Sequence, residues 1–388
     1  MNRSEQSMLG RWSRCGLTAA LVASAWLTGC TTRRQIALEP TPSFVFRSLD
    51  LSQRAVDGNR DWDLISPEAR YDLISRTIRA RGPEGVLYRN DQPHFRITAD
   101  LATVLRDGEL VVLEGSVQLR QLNQRGLTIE GDNLIWTPSQ SRMVINQRPK
   151  ANDGETQIRS RELVFQQDTE VLEFSGPTQL NRVDEISSAS TVVKGGNGTW
   201  NLKSGLLQAP GPVQAIRSDG RILSASGLDG NTLQGYLDLQ EPVTLVLEND
   251  RGQINAGQTR WLFTAKQFQS DQPVQADLKN SKVQGRGFKL DQTSGTVIIA
   301  NDCRVEQTSE TLTARRCAWN WRSERVVADG DVVLERTKPE QITRASRMEA
   351  RISENGEVRF GQAGARVQST IKLSPAAQEK PRRPQVSF

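Results

Sequence analysis

Apolar and polar positions recur along most of this chain with a period of about thirty residues. Most units begin with a β-branched residue or leucine and have a small residue two positions later. An apolar or aromatic pair, a polar turn and a second short apolar segment follow. Successive starts lie 29 to 35 residues apart, at Ile65, Ile97, Ile129, Ile158, Val193, Leu223, Ile254, Val283, Leu312 and Ile342. Because one such unit cannot bury its apolar face alone, the period predicts a stacked repeat architecture with a long shared interior.

Within the units, apolar residues alternate with polar ones, as in Trp200-Asn201-Leu202 and Trp319-Asn320-Trp321. Alternation with period two predicts β-strands with one apolar face. We therefore predict an all-β fold, an elongated open β-jellyroll or solenoid of two facing antiparallel sheets. Each of about ten units should give two strands joined by a polar turn, one strand to each sheet. Proline cannot donate a ladder hydrogen bond, so corners are expected at Pro149, Pro177, Pro212, Pro242 and Pro273.

The first unit has two possible interpretations. Ser66-Pro67-Glu68 is typical of a helix start, with serine as the cap and proline at the first helical position. The segment from Ile65 to Leu73 also fits the strand pattern of the next unit, and we favour a strand there.

Large aromatic side chains occupy the first strand of successive units. The eight candidates are Trp136, Phe165, Trp200, Trp261, Phe263, Phe288, Trp319 and Trp321. Inward-facing aromatic residues could simply fill the core of a sandwich. If the two sheets instead splay apart along one side, the same residues would line an apolar groove. We favour the groove and predict these eight residues as its lipid-binding wall.

Composition and charge narrow the function classes. The 388 residues are 36% hydrophobic and 5% aromatic, with a mean hydropathy of −0.53, as expected for a thin body with much polar surface. The net charge of +5 is well mixed along the chain, so we expect no nucleic-acid partner. The single histidine, His94, belongs to no metal-spaced cluster, and no phosphate loop or nucleophile elbow occurs. We therefore expect a protein that is not an enzyme and uses no cofactor or metal.

The N-terminus has the pattern of an export signal. Arg3, Arg11 and Arg14 precede a short apolar stretch from Leu17 to Leu27, which is too short for a comfortable membrane span. The ending Leu27-Thr-Gly-Cys30 resembles the bacterial lipoprotein box, which implies cleavage before Cys30 and lipidation of that cysteine. The alternative is an uncleaved N-terminal anchor. The domain prediction is a signal peptide over 1–29, a lipidated tether over 30–43, the β array over 44–373 and a disordered tail over 374–388.

Cys303 and Cys317 lie fourteen positions apart, on consecutive predicted strands. In an exported protein, such a pair predicts a disulfide between neighbouring units. Two cysteines with no histidine nearby are a poor set of metal ligands.

With these residues described, the chain resembles the LptC/LptA group of lipopolysaccharide-export proteins, which share the OstA-like β-jellyroll. The resemblance rests on Ile97-Thr-Ala-Asp100, on the segment from Gly108 to Leu119, and on Gly330-Asp-Val-Val-Leu334. The opening from Phe44 to Leu51 is similar to the N-terminal region of the LptC type. Residues 44 to 370 are covered, but the array is about twice as long as a typical member and the anchor resembles a lipobox rather than a transmembrane helix.

The resemblance implies a non-enzymatic periplasmic carrier, anchored to a membrane through Cys30. It would shelter the acyl chains of lipopolysaccharide during export from the inner to the outer membrane. Its implied partners are lipid A, an inner-membrane Lpt ABC transporter and other jellyroll proteins that dock by edge-strand addition. Two alternatives stay open: a structural envelope scaffold with a filled β core, and a carrier of another glycolipid or phospholipid.

Overall fold

A computed structural model gives the fold of the region that follows the N-terminal segment. It describes residues 44–55, 57–122, 126–154, 156–183, 190–247, 252–278, 280–337, 340–351, 357–361 and 366–372. These residues form 35 antiparallel strands and two single-turn 3-10 helices, at Arg106–Gly108 and Pro138–Gln140. The all-β prediction is therefore confirmed.

The strands follow one another closely along the chain. The first twelve are β1 (Phe44–Phe46), β2 (Leu49–Arg54), β3 (Arg60–Ser66), β4 (Glu68–Asp72), β5 (Thr77–Arg81), β6 (Glu84–Arg89), β7 (Gln92–Thr98), β8 (Leu101–Leu105), β9 (Leu110–Gln121), β10 (Thr128–Thr137), β11 (Arg142–Gln147) and β12 (Lys150–Asn152). The next twelve are β13 (Thr156–Arg159), β14 (Glu162–Gln166), β15 (Val171–Ser175), β16 (Thr178–Val183), β17 (Ser190–Gly195), β18 (Gly198–Asn201), β19 (Leu206–Ala209), β20 (Val213–Arg217), β21 (Ile222–Ala225), β22 (Gly227–Asn231), β23 (Tyr236–Gln240) and β24 (Val243–Val246). The last eleven are β25 (Gly252–Ala256), β26 (Thr259–Leu262), β27 (Gln267–Leu278), β28 (Ser281–Asp291), β29 (Thr296–Glu306), β30 (Glu310–Ala314), β31 (Arg316–Asn320), β32 (Arg325–Thr337), β33 (Glu340–Arg351), β34 (Val358–Phe360) and β35 (Gln368–Lys372).

The strand pairings define two facing layers that share one corner. Layer I contains β2, β3, β6, β7, β12, β13, β16, β17, β20, β21, β24, β25, β30 and β35, and layer II contains β1, β4, β5, β8, β11, β14, β15, β18, β19, β22, β23, β26, β31 and β34. The long strands β9, β10, β27, β28, β29, β32 and β33 bend at the corner and pair in both layers. On the side away from the corner, hairpin turns close each pair of strands. We call the space between these two rows of turns the mouth.

All repeat units except the one that starts at Val283 give three or four strands rather than the two predicted. In the unit that starts at Ile158, β13 lies in layer I, β14 and β15 form a hairpin in layer II, and β16 returns to layer I. The prediction of one strand per layer in each unit was therefore wrong. The unit breaks at the corner as well as at the turn, because short polar pairs such as Ser160-Arg161 interrupt what the sequence suggested was one strand.

The predicted proline corners are confirmed. Pro149, Pro177, Pro212 and Pro242 each lie between a strand of one layer and a strand of the other. Pro273 follows the register shift at which β27 bends. A proline therefore falls where no ladder donor is required.

The segment from Ile65 to Leu73 is extended rather than helical, as favoured from the sequence. Residues 65 to 73 contain the end of β3 and the whole of β4, and Pro67 lies at the corner between them. The helix start suggested by Ser66-Pro67-Glu68 does not form, because Ser66 instead uses its hydroxyl to bond the backbone carbonyl oxygens of Glu68 and Arg81.

Candidate functional site

One continuous row of apolar side chains crosses layer II next to the mouth. Each member lies directly opposite the next on the neighbouring strand. We call it the aromatic row; it consists of Trp136, Met143, Phe165, Leu172, Trp200, Leu207, Gly230, Leu237, Trp261, Phe268, Leu290, Val297, Trp319, Val326, Ala350 and Val358. Strand alternation points the whole row toward layer I.

Layer I presents a matching row of smaller aliphatic side chains. We call it the aliphatic row; it consists of Ile97, Leu119, Ile129, Ala151, Ile158, Leu180, Val193, Ala215, Leu223, Leu245, Ile254, Ala276, Val283, Val305, Leu312 and Leu334. Many of these residues are the repeat starts. The two rows therefore face each other across one interior, and the repeat period of the sequence is the period of its walls.

Exposure changes along the aromatic row from buried to open. Phe165 is fully buried, Trp200 is 8% exposed and Trp319 is 36% exposed, whereas Trp261 between the last two is half-buried. Beyond buried Ile158, most members of the aliphatic row are half-buried, although Ala276, Leu312 and Leu334 are buried again. The interior is thus a filled core before about residue 180 and a groove with partly exposed apolar walls after it. We call these the closed part and the open part.

In the closed part, aromatic rings from the two layers interlock. The Trp62 and Trp136 ring centroids are 5.4 Å apart in an edge-to-face arrangement. The Phe95 and Phe165 centroids are also 5.4 Å apart. All four side chains are at most 4% exposed, so these pairs fill the space between the layers.

The mouth of the closed part is bridged by charged groups. Arg89, at the end of β6 in layer I, forms an ion pair with Glu170, in the turn between β14 and β15 of layer II. The imidazole Nε2 of His94 lies 3.1 Å from the same carboxylate. Arg89 Nη2 also donates to the carbonyl oxygen of Gln167 at 2.6 Å and to that of Asp168 at 3.3 Å. We call Arg89, His94 and Glu170 the latch.

The protonation of the latch follows from its surroundings. Burial is the largest influence on His94 and, together with the positive charge of Arg89, lowers its pKa despite the opposing effect of Glu170. Burial alone would raise the pKa of Glu170, but hydrogen bonds and charge from Arg89 and His94 lower it overall. Near neutral pH, the latch is therefore a carboxylate held by a guanidinium and a neutral imidazole.

In the open part, the two rows border a narrow apolar cleft. Its walls include Val193 and Leu223 from the aliphatic row and Leu237 and Trp261 from the aromatic row. At Gly230 the aromatic row has no side chain, and a Cβ atom there would lie only 2.6 Å from Leu237 Cδ2. The enclosed space is about 30 Å³, enough for a water molecule but not for a hydrocarbon chain, so an acyl chain would have to lie along the cleft and part its walls.

The eight predicted groove residues lie in three parts of the structure: the aromatic row, the neighbouring inward row and the hairpin turns. Trp136, Phe165, Trp200, Trp261 and Trp319 belong to the aromatic row. Phe288 lies in the neighbouring inward row, opposite Ser270 and Ile299.

Phe263 and Trp321 lie instead in hairpin turns at the rim of the mouth, each one residue beyond the end of a strand. Trp136 and Phe165 are inward but sit in the closed part. The lipid-binding role of all eight residues stays a prediction.

Cys303 and Cys317 are joined by a disulfide, with their Cα atoms 5.9 Å apart. Cys303 lies in the layer I half of β29 and Cys317 in β31 of layer II. Both are buried next to the corner. The bond therefore ties the two layers together in the open part.

Some predictions fall outside the described residues. The signal peptide, the lipidated Cys30, the tether and the tail over 374–388 are among them. Within the described ranges, no helix has the length and apolar character to cross a membrane. The same ranges contain no cluster of three or more histidine, cysteine or acidic residues able to hold a metal ion.

Comparison with known proteins shows that the first part of this chain is similar to one family. The profile of the family described as "Lipopolysaccharide-assembly, LptC-related" matches residues 16–181. The resemblance to LptC-type proteins predicted from the sequence is therefore confirmed over these residues. No curated protein matches the chain.

Among solved structures, the chain is similar to LptH from Pseudomonas aeruginosa. That protein is described as the LptA-homologous periplasmic component of the conserved lipopolysaccharide transport device. The two share 13% identity, the match covers 29% of this chain and 81% of LptH, and the TM-score is 0.26. At that TM-score, the likeness adds nothing to the fold described above.

Sequence reasoning missed two parts of the site. Many members of the aliphatic row are repeat starts, so their period is visible in the sequence. The sequence alone does not show that they form one wall of the interior. The latch left no pattern, because Glu170 lies 81 residues from Arg89 and 76 from His94. His94, for which the sequence indicates no role, is one of its three members.

Proposed function

We propose that this protein is a non-enzymatic periplasmic carrier that shelters the acyl chains of lipopolysaccharide in its open part. The observation that supports this most is the pair of facing apolar rows whose exposure increases after residue 180. Half-exposed apolar walls leave unburied surface that a hydrocarbon chain can cover, at about 25 cal/mol per Å². The sugars of the lipid would stay in water at the mouth.

The repeat explains how a lipid could move along such a groove. Successive units offer similar walls, so a chain that advances by one unit exchanges nearly equal contact area. A single deep pocket would hold the lipid too tightly for transport, because each buried methylene is worth about 0.8 kcal/mol. The protein would supply a graded path, and the energy would come from an inner-membrane Lpt ABC transporter.

The ends of the array are suited to docking with other jellyroll proteins. Within the described residues, β1 and β2 pair on one side only, as do β34 and β35 at the other end. β1 is also apolar, and its residues Phe44, Val45 and Phe46 are 54%, 58% and 43% exposed. An added strand would satisfy free main-chain groups and cover this surface. Anchoring through lipidated Cys30 is part of the same proposal.

Photo-crosslinking in cells tests the carrier directly. A crosslinking residue at Phe268 would face the groove, whereas one at Gln269 would face outward from the same strand. We expect lipopolysaccharide adducts from position 268 and few from position 269. Equal adduct yields at the two positions would mean that lipid does not lie between the layers.

The closed part favours one alternative, a structural envelope scaffold with a filled β core. Its rings interlock as they would in a protein with no cargo. Binding of an apolar fluorescent probe by the purified protein separates the two functions. Saturable binding that competes with lipid supports the carrier, and no binding supports the scaffold.

The second alternative keeps the groove but changes the cargo to another glycolipid or phospholipid. Apolar walls recognise acyl chains and not head groups, so the groove itself does not distinguish these lipids. Competition between lipopolysaccharide and phospholipid vesicles for the same crosslinking position tests which lipid the protein prefers.

A further inference from the structure

The latch joins the two layers at their hairpin turns. Arg89 and His94 come from one hairpin of layer I, and Glu170 comes from a hairpin turn of layer II. The contacts span both rims of the mouth. Farther along, described hydrogen bonds near the turns, such as those from Trp200 to Thr232 and from Asn320 to Thr296, stay within layer II.

The latch is shielded enough from water to hold the layers. The Glu170 side chain is 8% exposed, that of His94 is 21% exposed and that of Arg89 is 30% exposed. A buried carboxylate that loses its cation is left with an uncompensated charge, which is strongly unfavourable. Separation of the layers here would therefore require water to enter around Glu170.

The latch also lies directly over the interlocked rings. The His94 ring is 4.5 Å from that of Phe95, centroid to centroid, and Phe95 in turn contacts Phe165. Opening of the latch would uncover the Phe95–Phe165 contact first. Beyond Phe165, the aromatic row continues without interruption into the open part.

We propose that the latch is a gated stop at the end of the lipid path, an inference that rests on the proposed carrier function. With the latch closed, an acyl chain in the open part cannot advance past Trp200 toward Phe165, because the layers are held together and the interior is full. Lipid therefore enters and leaves the open part through its mouth or its far end. When the latch opens, the acyl chain can also enter the closed part.

The test compares two crosslinking positions in several backgrounds. Position 165 reports lipid in the closed part, and position 283 reports lipid in the open part. The latch variants are Glu170→Gln, which keeps the shape of the side chain, and Arg89→Ala. The control is Arg148→Ala, which removes another ion pair, between Arg148 and Asp132, away from the latch.

We expect adducts only from position 283 in the parent and in the control. In both latch variants, adducts from position 165 should rise several-fold above background. Strong adducts from position 165 in the parent would overturn the stop, as would their absence from both latch variants. Loss of adducts from position 283 in every background would instead overturn the carrier function, and the inference with it.

A second measurement tests, in the absence of lipid, whether the latch holds the two rims together. Spin labels at the exposed positions Gln92 and Thr169 would lie on opposite rims beside the latch. Glu170→Gln should broaden the distance distribution between the labels and shift it to longer values, while Arg148→Ala leaves it unchanged. An unchanged distribution in a folded Glu170→Gln protein would show that the latch does not hold the mouth closed.

Discussion

At the scale of single residues, burial and charge explain why an isolated histidine has a structural role. His94 is the only histidine of the chain, and among the described residues it belongs to no cluster that could hold a metal ion. Its neighbours lower its pKa, so it stays neutral where it contacts Glu170. The same environment makes the latch sensitive to acid, because both titrating members favour their deprotonated forms in the folded protein.

The latch should weaken on acidification. The folded-state pKa of His94 lies below its ordinary value of 6.5, and that of Glu170 lies below its ordinary value of 4.5. A lowered pKa contributes stability above the unfolded value that is lost as the pH falls through the folded value. We therefore expect the melting temperature to fall as the pH drops below 6.5. Replacing His94 by Gln should reduce the fall in melting temperature at the higher end of this pH range. An identical pH profile for the variant would show that His94 does not contribute to the fall.

If the proposed carrier function holds, exposure should separate residues that stabilise the fold from residues that contact lipid. Phe165→Ala removes a fully buried ring and should cost about 3–5 kcal/mol of unfolding free energy. Trp319→Ala removes a ring that is over a third exposed, so it should cost much less but reduce lipid adducts in the open part. Thermal melting and crosslinking of the two variants measure this contrast. A loss of stability at Trp319 equal to that at Phe165 would mean that the open part is a filled core.

At the scale of elements, the sequence predicts the strands better than their ends. Alternation and proline placed the strands and the corners correctly. Phe263 and Trp321 were assigned to the wall because they stand two positions after Trp261 and Trp319. The strands end before them, at Leu262 and Asn320, so the alternation stops and the rings enter turns. The further division of most units into three or four strands is not visible in the sequence, because polar corner pairs are similar to strand residues.

The disulfide should stabilise the open part, because it joins the two layers next to the corner. Cys303→Ser should lower stability under oxidising conditions by up to about 3 kcal/mol, the loop-closure value for a link of this span. Addition of a reductant should destabilise the parent similarly and leave the variant unchanged. Melting curves with and without reductant provide the measurement, and equal melting of parent and variant under oxidising conditions would show that the bond does not form.

At the scale of the whole molecule, the described array has two parts built from one repeat. The first is closed by interlocked rings and the latch, and in the second many members of both rows are partly exposed. The period and the aromatic row could be predicted from the sequence because each is repeated many times. The change from closed to open could not, because it depends on how the two layers face each other and on contacts between distant units.

The most direct test of the carrier is mass spectrometry of the lipids that co-purify with the protein from its native envelope. Val297→Glu puts a charge into the groove, whereas Ile298→Glu puts the same charge on the outer face of the same strand, beside Ala318 rather than Trp319. The account predicts lipopolysaccharide-derived acyl species with the parent and Ile298→Glu, and their loss with Val297→Glu. Equal amounts of lipid with all three proteins, or none with the parent, would contradict it.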